Sequence, residues 1–340
     1  MAIAFIRKKR KSHEWRKRLS GILIATMLLA PASVRGAQLE NVGSSVKESS
    51  AVSGNNTVSG NMSVSANMLL KATVGTTYYV SSVHGNDQNN GMSQDKPFRT
   101  LDKINELTLG PGDQVLLERG SVFDSQYLHL ENEGGAEGAP VIIGTYGSGN
   151  KPVINTNGTG KWYQDYGKQL DNVRHKYRGW VSTAILLYDV EYIEISGLEI
   201  TNQGGSNRDE ENPTGANLQY NDPNVMNRTG VAGVAQNRGT LEHIVLDDLY
   251  IHDVVGNVYD KHMVNGGIYF IMAKPANEGQ TGIPRFHDLV IQNCHVANVN
   301  RWGIAAAYTG AHSDKFSAAE ISDEICMRYG NTDVVIRNNY

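Results

Sequence analysis

The segment Asp260-Lys261-His262 places an acid, a base and an imidazole side by side, shortly before the Gly-led run Gly266-Gly-Ile268. Arg301 and Trp302 stand just before an equivalent run, Gly303-Ile304, so the two groups could line one groove. Such a groove suits two reactions on sugars. A glycosidase needs two carboxylates, one of which protonates the leaving oxygen. A lyase needs a Lys or Arg base, and cations that neutralise the carboxylate of a uronate.

We therefore take Asp260 and Lys261 as local candidates for catalysis, and His262, Arg301 and Trp302 as candidates for substrate binding. The choice between the two reactions rests on the acidic residues. A lyase would be expected to carry an acidic cluster for Ca²⁺, but Asp247-Asp248 is the only adjacent Asp pair, and strand alternation would point its members to opposite faces. This favours hydrolysis. No cofactor is expected, and Ca²⁺ only if the protein is a lyase.

Aromatic residues crowd the segment 158–180, interspersed with Lys and Arg. The substrate-binding candidates there are Trp162, Tyr163, Tyr166 and Trp180. Flat aromatic faces match the C–H-rich faces of sugar rings, so these residues could form a saccharide platform. They could equally pack a long loop onto the body of the protein, and the sequence leaves both interpretations open.

Several other catalytic classes lack their sequence motifs. The chain has no Gly-rich phosphate loop between a strand and a helix, no Gly-x-Ser-x-Gly and no HExxH. Its ten histidines are scattered, with His252 and His262 on different segments, so no metal site is predicted. With only two cysteines, a disulfide scaffold and a zinc-type Cys pair are excluded.

The charge of the chain is distributed unevenly. Eight of its 31 Lys and Arg lie in the first eighteen residues, followed by the apolar run 21–30 and the small-residue stretch 31–37. This order is typical of a secretory signal, whose apolar run is too short to span a membrane. We predict a signal peptide over 1–36, cleaved near 32–36. Removing residues 1–32 takes away eight basic residues and one acid, which changes the net charge from −4 to −11.

The folded part is therefore expected to be acidic, and nucleic acids or anionic membranes are unfavourable partners for it. Residues 37–76 contain three Val-Ser-Gly-Asn-like repeats, too few to bury a core, and are predicted to form a flexible linker. We expect a secreted or cell-surface protein with an oligo- or polysaccharide as partner and no membrane span after signal cleavage. Its oligomeric state is left open.

A repeat of apolar residues organises the chain from residue 77 onward. Residues 193–202 read I-x-I-x-x-L-x-I-x-N, and 244–253, 289–298 and 334–340 repeat this pattern at intervals of 51, 45 and 45 residues. Offsets of two put apolar residues on one face of a strand, and the offset of three marks a corner. Such a period predicts one all-β domain over 77–340, a parallel β-solenoid. Because a small Gly-led strand lies between copies, each period is expected to hold two rungs.

Other positions have a structural interpretation within this repeat. Phe98, Leu101, Ile104 and Leu107 predict a helix over 97–108 that caps the lower end of the solenoid. Asn202, Asp253 and Asn298 are equivalent, and are predicted to form a ladder of turn residues. Asp248 aligns with Gly197, Asn293 and Asn338 at a corner, and Cys294 replaces a core leucine.

The chain resembles the right-handed parallel β-helix proteins of the pectate-lyase-like superfamily over about 77–340. The resemblance is carried by Tyr78-Tyr-Val-Ser81, Gly85-Asn-Asp87, Lys96-Pro-Phe98, Pro111-Gly-Asp113 and the repeat itself. Within the superfamily it is most similar to glycoside hydrolase family 136, the lacto-N-biosidase type. The segment His252-Asp-Val-Val-Gly256, followed by Lys261 and Gly266-Gly-Ile268, is part of that similarity.

The resemblance implies a carbohydrate-active protein but leaves its activity open. A glycoside hydrolase is expected first, a polysaccharide lyase second, and a non-catalytic surface adhesin third. The chain stops inside a rung at Tyr340, and we expect it to be the N-terminal part of a longer protein. If the family resemblance holds, the paired catalytic Asp residues are expected beyond Tyr340.

Overall fold

The structure is a computed structural model that describes residues 75–168, 178–205, 225–258, 262–308 and 322–340. All of these residues fall in one compact unit, Met68–Tyr340, whereas a first unit, Met1–Asn67, lies wholly outside them. The predicted signal peptide and residues 37–74 of the predicted linker also lie outside the described residues. The last two residues of the predicted linker, 75 and 76, are described. The Thr76 amide donates a hydrogen bond to Asp113 Oδ1 (2.7 Å).

Three sheets of parallel strands run side by side along the molecule. Sheet A contains, in order, β1 (Thr77–Val80), β2 (Gln114–Glu118), β5 (Val141–Tyr146), β9 (Ile193–Ser196), β12 (Thr240–Asp247), β15 (Arg285–Gln292) and β18 (Thr332–Arg337). Sheet B contains β3 (Val122–Asp124), β6 (Val153–Asn155), β10 (Glu199–Asn202), β13 (Tyr250–Val254) and β16 (His295–Val299). Sheet C contains β4 (Leu128–Glu131), β8 (Arg178–Tyr188), β11 (Asn227–Ala235), β14 (Gly266–Met272) and β17 (Trp302–Tyr308). The strand β7 (Lys161–Asp165) pairs antiparallel with β8 at the surface.

The strand pairing follows the sequence repeat residue by residue. Ile193 pairs with Ile244, and Ile244 with Leu289. Leu289 in turn pairs with Val334. The chain therefore returns to sheet A at the predicted interval, and the predicted parallel β-helix is confirmed.

The prediction of two rungs per period is wrong. Between its visits to sheet A the chain passes once through sheet B and once through sheet C, so a period holds a single three-stranded turn. The Gly-led strands are the sheet C strands of those same turns, with Val231 paired to Ile268 and Ile268 to Ile304. They lack the 2-3-2 apolar offsets because both faces of β11 and β14 are buried, so their apolar residues need not alternate with polar ones.

The core is a continuous apolar column enclosed by the three sheets. Alternate strand residues such as Val115 and Leu117, or Ile244 and Leu246, are essentially inaccessible to solvent. Full burial of one such side chain contributes about 1.5–3 kcal/mol. Cys294 belongs to the same column at 1% exposure, which confirms its prediction as a core thiol.

The corner between sheets A and B requires a left-handed backbone. Gly197, Asp248, Asn293 and Asn338 occupy it in successive turns with φ of 75°, 52°, 54° and 55°. Gly, Asn and Asp tolerate this region better than other residues because their side chains are absent or short and polar. Asp248 is thus a turn residue, as predicted.

The predicted ladder of Asn202, Asp253 and Asn298 forms only in part. Asn298 Nδ2 donates to Asp253 Oδ1, and both residues have positive φ. A bulge shifts Asn202 so that it pairs with Val254 instead of Asp253. The Asn202 side chain is buried and accepts a hydrogen bond from the Gly158 amide (2.9 Å).

The capping helix is present but shorter than predicted. It spans Asp102–Asn105 (α1) rather than 97–108, and it buries Leu101 and Ile104 completely. The residues before the helix are held by other contacts. Phe98 forms a β-bridge with Val80, and the Asp87 carboxylate accepts hydrogen bonds from the amides of Arg99 and Thr100. These contacts hold the chain in a non-helical path ahead of α1. Two further short helices, α2 (Glu278–Thr281) and α3 (Asp323–Tyr329), lie in connections between sheets C and A.

The β7–β8 hairpin was not predicted. The segment that forms the hairpin was expected to be an aromatic loop. No helix among the described residues is both long and apolar enough to span a membrane.

Thiol labelling tests the burial of Cys294. Burial raises the pKa of its thiol to about 11, whereas Cys326 is exposed. Since the thiolate is the reactive form, we expect Ellman's reagent to modify one thiol in the native chain and two in denaturant. Cys326→Ser should abolish the native signal, and Cys294→Ser should leave it intact. Rapid native labelling of the Cys326→Ser variant would contradict the buried position of Cys294.

Two equivalent glycines of sheet C allow a matched test of the packing. A Cβ on Gly267 would lie 2.5 Å from Val296 Cγ1 and 2.6 Å from the Gly303 carbonyl oxygen, whereas a Cβ on Gly303 meets no atom within 4 Å. We expect Gly267→Ala to lower the free energy of unfolding by about 1–3 kcal/mol, and Gly303→Ala to change it little. Chemical denaturation of the two variants checks this. Equal stability of both would show that the strands are not packed as described.

Candidate functional site

Three long connections between strands lie at one corner of the solenoid. Here the chain leaves sheet B and enters sheet C through the segments 156–177, 203–226, 255–265 and 300–301. We call this region the B–C corner. The candidate residues that the structure describes lie in it or at the start of the strand that follows. A solenoid commonly carries its function on such insertions.

The β7 strand of the hairpin pairs with β8 of sheet C, and its inward side chains pack on the outer surface of that sheet. Trp162 is 6% exposed, and its Nε1 donates to Thr183 Oγ1 (2.7 Å). Gln164 and Tyr166 are fully buried. The rings of Trp162 and Tyr166 join an apolar cluster with Tyr269 on the outside of the sheet. In the described structure these two aromatic residues therefore pack the hairpin and present no open face.

The outward side of the hairpin carries the other two aromatic candidates. Tyr163 pairs with Trp180 across the strands, with ring centroids 5.4 Å apart and planes at 75°. Tyr163 is 38% exposed and Trp180 is half-buried. Lys161 and Arg178 flank them, also on the exposed side. The two rings form an angled notch rather than one flat platform.

His262 connects the hairpin to the next long segment through its backbone. Its carbonyl oxygen accepts hydrogen bonds from Gln164 Nε2 (3.0 Å) and Tyr166 Oη (2.9 Å). The Val264 amide donates to Gln164 Oε1 (2.8 Å). These bonds hold together residues that are almost a hundred positions apart in the sequence. His262 itself is only 3% exposed, so its side chain is buried. Asp260 and Lys261, the local catalytic candidates, lie outside the described residues.

Arg301, which lies beside Trp302, and Asn300 contact the first residues of the same segment, 255–258. Arg301 Nη1 donates to the Val258 carbonyl (2.7 Å), and Asn300 Nδ2 donates to the Gly256 carbonyl (2.8 Å). The Arg301 guanidinium lies 5.4 Å from the Trp302 ring centroid, a cation–π contact. Trp302 is 39% exposed. The structure therefore places both the hairpin and Arg301–Trp302 beside the segment 255–265.

A buried polar network supports the corner from inside. Arg228 is inaccessible to solvent, and its Nη1 donates to the carbonyls of Asn202 (3.0 Å) and Gly204 (2.9 Å). Its amide donates to Asn265 Oδ1 (3.0 Å). Burial lowers the pKa of Arg228 to about 10, so the side chain remains charged at neutral pH. These bonds tie two successive turns together beneath the exposed residues.

A second group of polar residues, on the outside of sheet A, was not predicted. His243 Nδ1 lies 2.7 Å from Asp288 Oδ2, and His243 Nε2 lies 3.1 Å from Glu194 Oε1. One turn further, His287 Nδ1 lies 3.2 Å from Asp333 Oδ2. We call this alternation of acids and imidazoles the acid–imidazole ladder. It borders an open groove that is also lined by residues 136–140 and Tyr192.

The repeat itself contained the signal for this ladder. The two positions before the first apolar residue of each copy read Glu-Tyr at 191–192, Glu-His at 242–243, His-Asp at 287–288 and Thr-Asp at 332–333. Aligned in register, each of the two imidazoles has an acid at the same position of a neighbouring turn, Asp288 for His243 and Glu242 for His287. Among the described residues, no group of three or more His, Cys, Asp or Glu side chains is arranged to hold a metal ion.

Comparison with known proteins identifies relatives across the described region. No family model matches the chain. A curated lacto-N-biosidase of Bifidobacterium longum subsp. longum is 43% identical over 292 residues. Two crystal structures of the family 136 lacto-N-biosidase of Eubacterium ramulus, the selenomethionine derivative and the native protein, are 51% and 50% identical with TM-scores of 0.70 and 0.69. The chain is a homologue of the family 136 lacto-N-biosidases.

The similarity to family 136 covers 78% of this chain but a smaller share of its relatives. It spans 18% of the B. longum protein and 41% of each E. ramulus chain. The resemblance to this family deduced from the sequence is thereby confirmed, together with the β-helix fold. The roles of the candidate residues at the B–C corner stay predictions.

The acid–imidazole ladder makes the stability of this family 136 homologue depend on pH. Burial alone would lower the pKa of His243, but the hydrogen bonds and charges of Asp288 and Glu194 outweigh it, and the pKa is raised. The folded state thus binds a proton that the unfolded state releases near its ordinary pKa of about 6.5. The stabilisation is present below this pH and lost as pH rises through the higher folded-state value.

We expect His243→Gln to flatten the fall in melting temperature as the pH rises above about 6.5. Asp288→Asn should bring the His243 pKa, followed by NMR, closer to its ordinary value. An unchanged pH profile in His243→Gln would show that this ion pair contributes nothing to folding.

Proposed function

We propose that this chain is part of a secreted glycoside hydrolase that acts on complex glycans and releases lacto-N-biose. The proposal is carried by its 43–51% identity to lacto-N-biosidases over 78% of its length. At this identity, relatives share not only a β-helix but also the detailed register that shapes its outer surface. The chain contributes the capping helix, the successive turns described above and the B–C corner.

Hydrolysis of a glycosidic bond requires a pair of carboxyl groups. They stand about 5–5.5 Å apart when one of them attacks the sugar, and about 6.5–9.5 Å apart when a water lies between. Within this chain, Asp260 and Lys261 stay the predicted local candidates for catalysis. What this chain supplies in the proposal is a rigid surface that binds and orients the glycan.

The identity to hydrolases favours hydrolysis over the β-elimination of a polysaccharide lyase and over a non-catalytic adhesin. Export is proposed as well. It is supported by the basic segment before residue 19, the short apolar run and the small-residue stretch. Mass spectrometry of the exported protein should find a new N-terminus near 32–36.

The assay uses the complete product of the gene with p-nitrophenyl β-lacto-N-bioside and an oligosaccharide that ends in lacto-N-biose. We expect release of p-nitrophenol and of free lacto-N-biose, with no ultraviolet-absorbing unsaturated uronate from pectic or other uronic-acid polymers. The control is the same protein after heat denaturation. An unsaturated uronate product would identify a lyase, and glycan binding without any turnover would identify an adhesin.

A further inference from the structure

We infer that Asn90 is a site of spontaneous covalent modification, at which the chain converts an asparagine into aspartate or isoaspartate and releases ammonia. The site lies in the connection between β1 and α1, at the capped end of the solenoid. The pair Asn-Gly occurs three times in the chain, as Asn90-Gly91, Asn157-Gly158 and Asn265-Gly266. The structure leaves the reacting groups accessible in the first pair and holds them in the other two. The inference does not rest on the proposed function, because the reaction needs no ligand.

The reaction is an intramolecular acyl transfer. The backbone nitrogen of Gly91 attacks the side-chain carbonyl carbon of Asn90, and a new C–N bond closes a five-membered succinimide ring. The bond from that carbon to the side-chain NH₂ breaks, and the NH₂ leaves as ammonia with the proton of the Gly91 amide. Water then adds to one of the two ring carbonyls and opens the ring, which gives aspartate or isoaspartate. Glycine at the following position favours the attack because it has no side chain to obstruct it.

At Asn90 the reacting groups are accessible. The residue is exposed, and its Oδ1 accepts a hydrogen bond from the Met92 amide (3.1 Å). This bond draws electrons toward the oxygen and makes the side-chain carbonyl carbon a better electrophile. In the part of the chain that the structure describes, the Gly91 amide donates no hydrogen bond, so no contact holds its nitrogen away from that carbon.

The pair Asn157-Gly158 has the same chemistry but its reacting groups are engaged. The Gly158 amide donates to Asn202 Oδ1 (2.9 Å), which fixes the orientation of the nitrogen that would attack. Asn157 Nδ2, the leaving group, donates to Asp124 Oδ1 (2.8 Å). We therefore expect Asn157 to react slowly in the folded chain.

The pair Asn265-Gly266 is protected by burial. Asn265 is inaccessible to solvent, so water cannot readily reach it to open a succinimide. Its Nδ2 donates to Asn227 Oδ1 (2.8 Å), and its Oδ1 accepts from the Arg228 amide (3.0 Å). Both ends of the side-chain amide are thus held by the network beneath the B–C corner.

The modification affects the backbone that holds the first strand. The Gly91 carbonyl accepts a hydrogen bond from the Tyr79 amide of β1 (2.7 Å). Gly91 also packs closely on Phe98, since a Cβ there would lie 2.3 Å from the Phe98 ring. Isoaspartate adds one carbon to the main chain directly before Gly91 and displaces these contacts, whereas aspartate leaves the main chain unchanged. The isoaspartyl form is therefore expected to loosen β1 at the capped end.

Peptide mapping by mass spectrometry tests the inference on the full chain, incubated at neutral and at mildly alkaline pH. We expect aspartate and isoaspartate to appear at position 90 at least tenfold faster than at 157 or 265. The rate should rise with pH, because the attacking nitrogen must lose its proton. In denaturant the three positions should react at similar rates, since each is followed by glycine and the folded contacts are gone.

Hydrogen exchange tests the effect on the cap. The Tyr79 amide should exchange faster in the aged chain than in the fresh one. An aged Asn90→Gln variant, whose longer side chain forms a cyclic imide far less readily, should exchange as the fresh variant does. Its melting temperature, measured before ageing, verifies that the substitution leaves the fold intact.

The inference is overturned if Asn90 stays unmodified in the folded chain while the same position reacts in denaturant. It is also overturned if all three positions react at equal rates in the folded chain. Unchanged exchange at Tyr79 in a chain rich in isoaspartate at position 90 would contradict the loosening of the cap. None of these outcomes bears on the proposed hydrolase activity, which is measured on the complete gene product.

Discussion

The structure depends on one constraint, the in-register hydrogen bonding of parallel strands from turn to turn. Once Ile193, Ile244 and Leu289 are level in sheet A, all other residues of a turn are placed relative to their equivalents. Each apolar position then forms a column through the core, and each corner position forms a column at the edge. A residue that departs from the register, such as Asn202 at its bulge, is carried from the surface into the interior.

The corners show how backbone conformation and side chain are selected together. At the corner between sheets A and B the left-handed backbone allows only short connections, and Gly, Asn or Asp recurs there. At the B–C corner the chain instead makes excursions, and the register must be restored after each one. The buried Arg228 network and the anchored hairpin serve this purpose because they satisfy backbone carbonyls that the sheets cannot pair.

The outer surface follows from the same stacking. Side chains at equivalent positions lie about 4.8 Å apart, so like charges in neighbouring turns would repel. On sheet A, His243 reduces this repulsion because it lies between two carboxylates, those of Asp288 and Glu194. In an acidic protein, imidazoles between carboxylates also lower the local density of negative charge.

The sequence determined the β-helix, the register of its sheet A and B strands, the core position of Cys294 and the turn role of Asp248. It could do so because strand geometry imposes a period of two residues, and the stacking of turns imposes a period of about 45 residues. It could not determine the number of strands per turn, since the strands of sheet C are buried on both faces and lack the apolar offsets. Nor could it distinguish Trp162 from Tyr163: the two are neighbours of one aromatic segment, and only the pairing of β7 with β8 decides which faces inward. Tertiary structure likewise decided that the hairpin, His262 and Arg301 meet at one corner, because contacts between residues a hundred positions apart depend on how the turns stack.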